Sequence, residues 1–267
     1  MDPELPDLLA LERIEDNLFR TIVVSDEPAG LYGGQVAAQA LRAAAATVAG
    51  DRHPNSLHGY FLSRGDAGRR VLLTVHRDRD GRSYSNRRVI AVQHGVVIFN
   101  MVASFHVTEE GQDYQAHQLP EVPGPGDLPD SQIATRLRGV DIRIPPQPSP
   151  GQEWPSRVWM RSRSPLADDT LQACALTYVS DMFSGLARVP GGRGQAGRLT
   201  SIDHAVWFYR KIAVDDWVLM DLEPESTAGG RGMYTGRIFS RGGVLAAGIA
   251  QESLFRPGPP RDGPLAS

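Results

Sequence analysis

The chain has 267 residues, 41% of them hydrophobic and 22% charged, with a net charge of −3 at neutral pH. That balance is ordinary for a soluble globular protein and gives length enough for one large domain or two small ones. It excludes a basic surface built for nucleic acid, and no apolar run approaches the length of a membrane span. A single cysteine, Cys174, excludes an internal disulfide framework and fits a reducing cytoplasm.

The opening segment "MDPELPDLLALERIEDNLF" is acidic and amphipathic and shows no signal-peptide pattern. Residues 33–48, "GGQVAAQALRAAAATV", are predicted to form a helix whose small side chains let it lie close against a sheet. Strands follow: "SLHGYFLSRGD" from Ser56, then a strand–turn–strand over 83–106 with "QHG" at the turn. A stretch at 109–156, rich in Pro, Gly and acidic residues, reads as a long surface linker. A second helix is expected over 164–183, with Ser164 and Pro165 as its cap and first turn. "SIDHAVWFYRKI" from Ser201 and a strand–turn–strand over 231–254, with "RGG" at the turn, complete the pattern. The unit of one helix and antiparallel strands thus occurs twice, an internal repeat. The expected class is α+β, a double hotdog: N-terminal repeat 1–108, linker 109–156 and C-terminal repeat 157–267.

Two polar residues, Asp181 and Gln251, stand where apolar ones are expected, and a third, Ser201, opens a strand. Leu171, Cys174, Tyr178 and Asp181 share one helical face. An ionised carboxylate is costly to bury there and badly placed at a helix C-terminus. Asp181 is either a helix-end carboxylate turned to solvent or a general base facing the core. Gln251 shares a strand face with Leu245, Ala247 and Ile249, either as a satisfied core amide, the commoner case, or as part of a site. Ser201 begins a strand, where a serine is most often a turn or cap residue. Asp203 and His204 nearby do not make a hydrolase relay with it, because neighbours on a strand point to opposite faces, and no G-x-S-x-G elbow is present. Gly192, Gly194 and Gly197 spell G-x-G-x-x-G after a helix and before a strand, the reverse of a dinucleotide site, and read as a loop. The seven histidines have no metal-ligand spacing, so no metal is expected.

"LYGGQVAAQALRAA", "SLHGYFLSRGD", "RDGRSYSNRRVIAVQHGVVIFNMVASFH" and "SIDHAVWFYR…GVLAAGIAQESLFR" together resemble the acyl-CoA thioesterase II family, TesB-like double-hotdog enzymes. The similarity runs from about Leu11 to Arg256 and is weakest in the linker. It implies hydrolysis of acyl-CoA to fatty acid and CoA with no covalent intermediate, no metal and no cofactor. It also implies that an Asp, a Ser or Thr and a Gln hold the attacking water, at Asp181 in "YVSDMF", Ser201 before "IDH" and Gln251. Gly33, Gly34 and Gln35, at the start of the first helix, are candidate donors to the thioester oxygen. Arg82, Arg87 and Arg88 are candidate contacts for the CoA phosphates. Hotdog proteins commonly associate through their sheets, so a homo-oligomer, a dimer or larger, is expected. The rival readings are a non-catalytic acyl-CoA binder or sensor, and a hotdog hydratase. The hydratase would need a helix histidine that this chain lacks.

Overall fold

The computed structural model describes residues 3–25, 27, 29–131, 137–149, 154–182 and 197–257. Thirteen strands among them form one antiparallel sheet. The N-terminal half contributes β1 (Leu11–Glu15), β2 (Leu18–Thr21), β3 (Arg52–Phe61), β4 (Leu72–Asp80), β5 (Tyr84–Gln93) and β6 (Val96–Val107). The C-terminal half contributes β7 (Val140–Arg143), β8 (Arg157–Ser162), β9 (Gly197–Ser201), β10 (Asp203–Phe208), β11 (Val218–Ala228), β12 (Arg231–Ser240) and β13 (Leu245–Pro257). The order across the sheet is β1-β2-β4-β5-β6-β3-β10-β13-β12-β11-β8-β7, with β9 paired to β13. The halves meet at β3 and β10, where Leu57 lies opposite Val206 and Tyr60 opposite Asp203.

The period-2 patterning expected from the sequence is present. On β5, Ser85, Arg87, Val89, Ala91 and Gln93 are buried and their neighbours are not. Its turn to β6 uses left-handed backbone at His94 and Gly95, as a tight hairpin requires. Both main helices pack on this inner face and against each other. They are α2 (Gly33–Ala45) and α3 (Asp169–Ser180), and one short turn, α1 (Leu5–Leu8), precedes them. Ala37, Ala38, Ala40, Ala43 and Ala44 are wholly buried, so α2 sits close to its neighbours along most of its length.

Helix α3 starts later than the sequence indicated. Its cap is Asp168, whose Oδ1 accepts from Leu171 N at 2.7 Å, and not Ser164. The reason is Asp215, which accepts from Leu166 N and from the Gln172 amide, both at 2.9 Å, and holds the preceding residues out of the helix. The expected linker contains the strand β7, paired to β8. Earlier in it, Leu119, Val122 and Leu128 pack on Trp159, Trp217, Leu219, Phe239 and Leu245, covering the outer face of the C-terminal half. Leu245 is thus not on the face of Gln251, where alternation puts it, because the β12–β13 register shifts between Ile238 and Phe239.

Candidate active site

Two helix ends meet beside the junction of the halves. Asp181 is the residue that ends α3, and it is 5% exposed. A Cβ built on Gly33, the first residue of α2, would lie 2.5 Å from Asp181 Oδ2 and 2.9 Å from the Phe61 ring. The carboxylate therefore faces the positive end of α2, which offsets its poor placement at the negative end of its own helix. The contact is clamped by Tyr32, whose hydroxyl donates to Tyr178 O at 2.9 Å and whose ring meets the Tyr178 ring edge-on. A Cβ on Gly34 would lie 2.4 Å from Tyr178 O, so the two helix ends require glycine there.

Gln251 and Ser201 complete the group. Gln251 is buried on β13, and its Nε2 donates at 2.6 Å to Asp181 Oδ1 and at 2.6 Å to Ser201 Oγ. Ser201 is the last residue of β9 and does not begin the next strand. Its register partner on β13 is Ser253, two residues from Gln251. The structure thus brings Asp181 and Gln251, the two polar residues on apolar faces, together with Ser201.

The other candidates divide. Gly33 and Gly34 lie against Asp181 and Tyr178, and amides in the first turn of a helix have no partner within it. The Gln35 amide is already bonded to Tyr32 O at 3.1 Å. The arginines are not brought to Asp181. Phe61, beside the site, pairs with Phe99, whereas Tyr84, near Arg82, pairs with His106. That is seven steps along β6, roughly 23 Å. Arg88 lies on the face away from the helices and pairs with Asp78 at 3.2 Å. Arg87 is buried, donating to Thr47 Oγ1 at 2.8 Å, Thr47 O at 3.0 Å and Asp80 Oδ1 at 2.7 Å, so its guanidinium is held by the end of α2. Arg87→Met is expected to lower unfolding stability by about 2–3 kcal/mol and to leave KM for acyl-CoA unchanged. Denaturant titration beside steady-state kinetics checks this. The glycines at 192 and 194 lie outside the described residues. The Cys174 thiol is fully buried and pushed up to about 12 by that burial, so it is no nucleophile.

Two site residues escaped the sequence reading. Gln251 Oε1 accepts from the Tyr234 hydroxyl at 2.5 Å and meets His204 Nδ1 at 3.0 Å, and His204 Nε2 meets Ser180 Oγ at 2.7 Å. Both are wholly buried. The signal was their strand face: His204 alternates with Val206, and Tyr234 with Ile238, on the helix side. Asp203 points the other way, to His58 at 3.0 Å. Burial pushes the His204 pKa down to about 4, and burial likewise raises the Tyr234 hydroxyl well above its usual value. Unfolded His204 takes up a proton near pH 6.5 and the folded residue only near 4. Unfolding therefore binds a proton between those values, and stability, full above pH 6.5, falls as the pH drops to about 4. The loss is about 3 kcal/mol. Denaturant midpoints at pH 7 and pH 5 should differ less in a His204→Leu variant than in the parent chain.

One sheet folded from two helix-and-antiparallel-strand repeats is a double hotdog, and Asp181, Ser201 and Gln251 meet where its two helix ends approach. The comparisons agree. Residues 25–106 match the model of the acyl-CoA thioesterase N-terminal domain, and residues 116–255 that of the C-terminal domain. The chain is similar to acyl-coenzyme A thioesterase 8 of Homo sapiens, 34% identical over 93% of this chain and 88% of that one. It is also 34% identical to acyl-CoA thioesterase 2 of Haemophilus influenzae, over 93% of this chain and 96% of that one. The crystal structure of acyl-CoA thioesterase II TesB2 from Mycobacterium marinum superposes with a TM-score of 0.83 at 41% identity, covering 95% of this chain and 98% of that one. The chain belongs to the acyl-CoA thioesterase II family, the TesB-like double-hotdog enzymes, and is a thioester hydrolase.

Proposed function

We propose that this chain hydrolyses fatty acyl-CoA by direct attack of a water molecule held by Asp181, Ser201 and Gln251. The observation that carries this reading is Gln251 Nε2 at 2.6 Å from both Asp181 Oδ1 and Ser201 Oγ. Asp181 takes a proton from the water as its oxygen attacks the thioester carbonyl carbon. The Ser201 hydroxyl sets the water's direction, and the Gln251 amide, whose two N–H groups go to Asp181 and Ser201, holds that pair around the water. The carbonyl oxygen gains charge as the tetrahedral centre forms, and the Gly33 and Gly34 amides at the positive end of α2 receive it. The carbon–sulfur bond then breaks, and the proton passes from Asp181 to the departing CoA thiolate. Of the three arginines, Arg82 is exposed and is kept as a CoA phosphate contact. Among the described residues no helix is long and apolar enough to cross a membrane, and we place the reaction in the cytoplasm.

The test is release of free thiol from acyl-CoAs of short to long chain. Turnover that depends on chain length supports the reading. Tight acyl-CoA binding with no turnover on any of them would make the chain a binder instead.

The chain is also proposed to work as a homo-oligomer. The linker covers the outer sheet face of the C-terminal half, but Tyr60, Val102 and Trp207 stay exposed on the outer face where the halves join. A second copy covering this face accounts for such large apolar side chains in solvent. Trp207→Arg is expected to lower the mass measured by light scattering to that of a smaller species. An unchanged mass would place the contact elsewhere.

A further inference from the structure

The thioesterase reading needs Gln251 to present N–H groups, and not its carbonyl, to Asp181 and Ser201. An amide is nearly symmetric in shape, so something must decide which way round it stands. We propose that His204 and Tyr234 are positioning residues that lock the Gln251 amide in the water-holding orientation. This proposal rests on the reading of Gln251 as a catalytic residue.

The geometry supports the lock on both sides of Oε1. The Tyr234 hydroxyl donates to it from β12 and His204 Nδ1 from β10. Because Oε1 can only accept, Nδ1 must carry the ring hydrogen of a neutral His204. That leaves Nε2 as an acceptor 2.7 Å from Ser180 Oγ, one residue before Asp181, and in this tautomer the single Ser180 hydrogen turns to Nε2 from its alternative acceptor, Thr177 O at 3.0 Å. If the amide turned over, its carbonyl would face the Asp181 carboxylate, and the Tyr234 hydroxyl and the His204 ring would both have to change from donor to acceptor. The low proton affinity of the buried ring keeps it neutral across the working pH range.

The N-terminal repeat supplies an internal control. On β12 and β13, Tyr234 lies opposite Gln251. On β5 and β6, Arg87 lies opposite Ala103, and Ala103 lies opposite Leu57 on β3. Both repeats fold around one buried cross-strand triplet. In one it is Tyr234, Gln251 and His204, and in the other Arg87, Ala103 and Leu57. A buried histidine at that place is therefore not a demand of the fold, since leucine serves in the other copy. The polar trio stands only in the repeat whose helix ends in Asp181.

His204→Leu, which installs the other repeat's side chain, is the test, with His204→Asn as its conservative partner. Asn offers an N–H where Nδ1 stood. His204→Leu is expected to lower kcat by roughly 10- to 100-fold with KM nearly unchanged, and His204→Asn to restore most of the loss. Tyr234→Phe, which removes a single oxygen, should lower kcat by about 10-fold. It keeps the test available should the leucine variant fail to fold. Gln251→Ala distinguishes the proposal from the reading beneath it. With Gln251 gone, adding His204→Leu should cost nothing further, because His204 acts through the amide. A further multiplicative loss, or parental kcat in His204→Leu or in Tyr234→Phe, overturns the lock. Parental kcat in Gln251→Ala would overturn the catalytic role of Gln251 itself.

Discussion

Replacing Asp181 by Asn is expected to lower kcat on acyl-CoA by about 10³-fold, within the range a positioned general base supplies. The substitution keeps the shape and a hydrogen-bonding group in the same 5% exposed position between the helix ends. Unfolding midpoint and acyl-CoA binding should therefore stay close to those of the parent. What is lost is the capacity to take the water's proton. If instead the variant kept its rate, Asp181 would be a structural charge that faces the start of α2. If it lost rate and fold together, circular dichroism would report that directly.

Gly33→Ala should have the next largest effect, though it adds only a methyl group. At an unconstrained first-turn position, alanine would be neutral or stabilising by up to about 1 kcal/mol. Here the new Cβ would lie 2.5 Å from Asp181 Oδ2 and 2.9 Å from Phe61, so the carboxylate or the ring must move. A displacement of this size at a reacting group costs about 10²-fold in rate. Overpacking should cost about 1–3 kcal/mol of stability. The sign of the stability change therefore tells whether α2 presses on Asp181 as described. A stabilised, fully active alanine variant would mean that the helix ends stand apart.

Much of this architecture was legible because period-2 and period-3.6 patterns report which face is buried. The two helices, the hairpins and their duplication came from that signal alone, and Asp181 and Gln251 stood out as polar residues on apolar faces. The resemblance then tied them to Ser201. Less local features were hidden. The start of α3 is fixed by Asp215, forty-odd residues downstream, which no capping rule at Ser164 could reveal. Arg87 reads in the sequence as a candidate CoA phosphate contact, yet its parity on β5 buries it at the end of α2. His204 was weighed only as a partner for Asp203 and Ser201 in a relay. The same parity argument that separated it from Asp203 put it on the face of Gln251. Reading each strand's inner residues across the sheet, and not along the chain, would have found both it and Tyr234.

In the proposed mechanism water attacks the thioester directly and Ser201 only holds it. A single turnover with enzyme in excess of acyl-CoA, quenched at short times, measures CoA thiol and free fatty acid in parallel. With direct attack both appear together, no mass is added to the chain, and Ser201→Ala retains a slowed but measurable turnover. CoA released ahead of the acid, with an acyl group carried on Ser201, would contradict it.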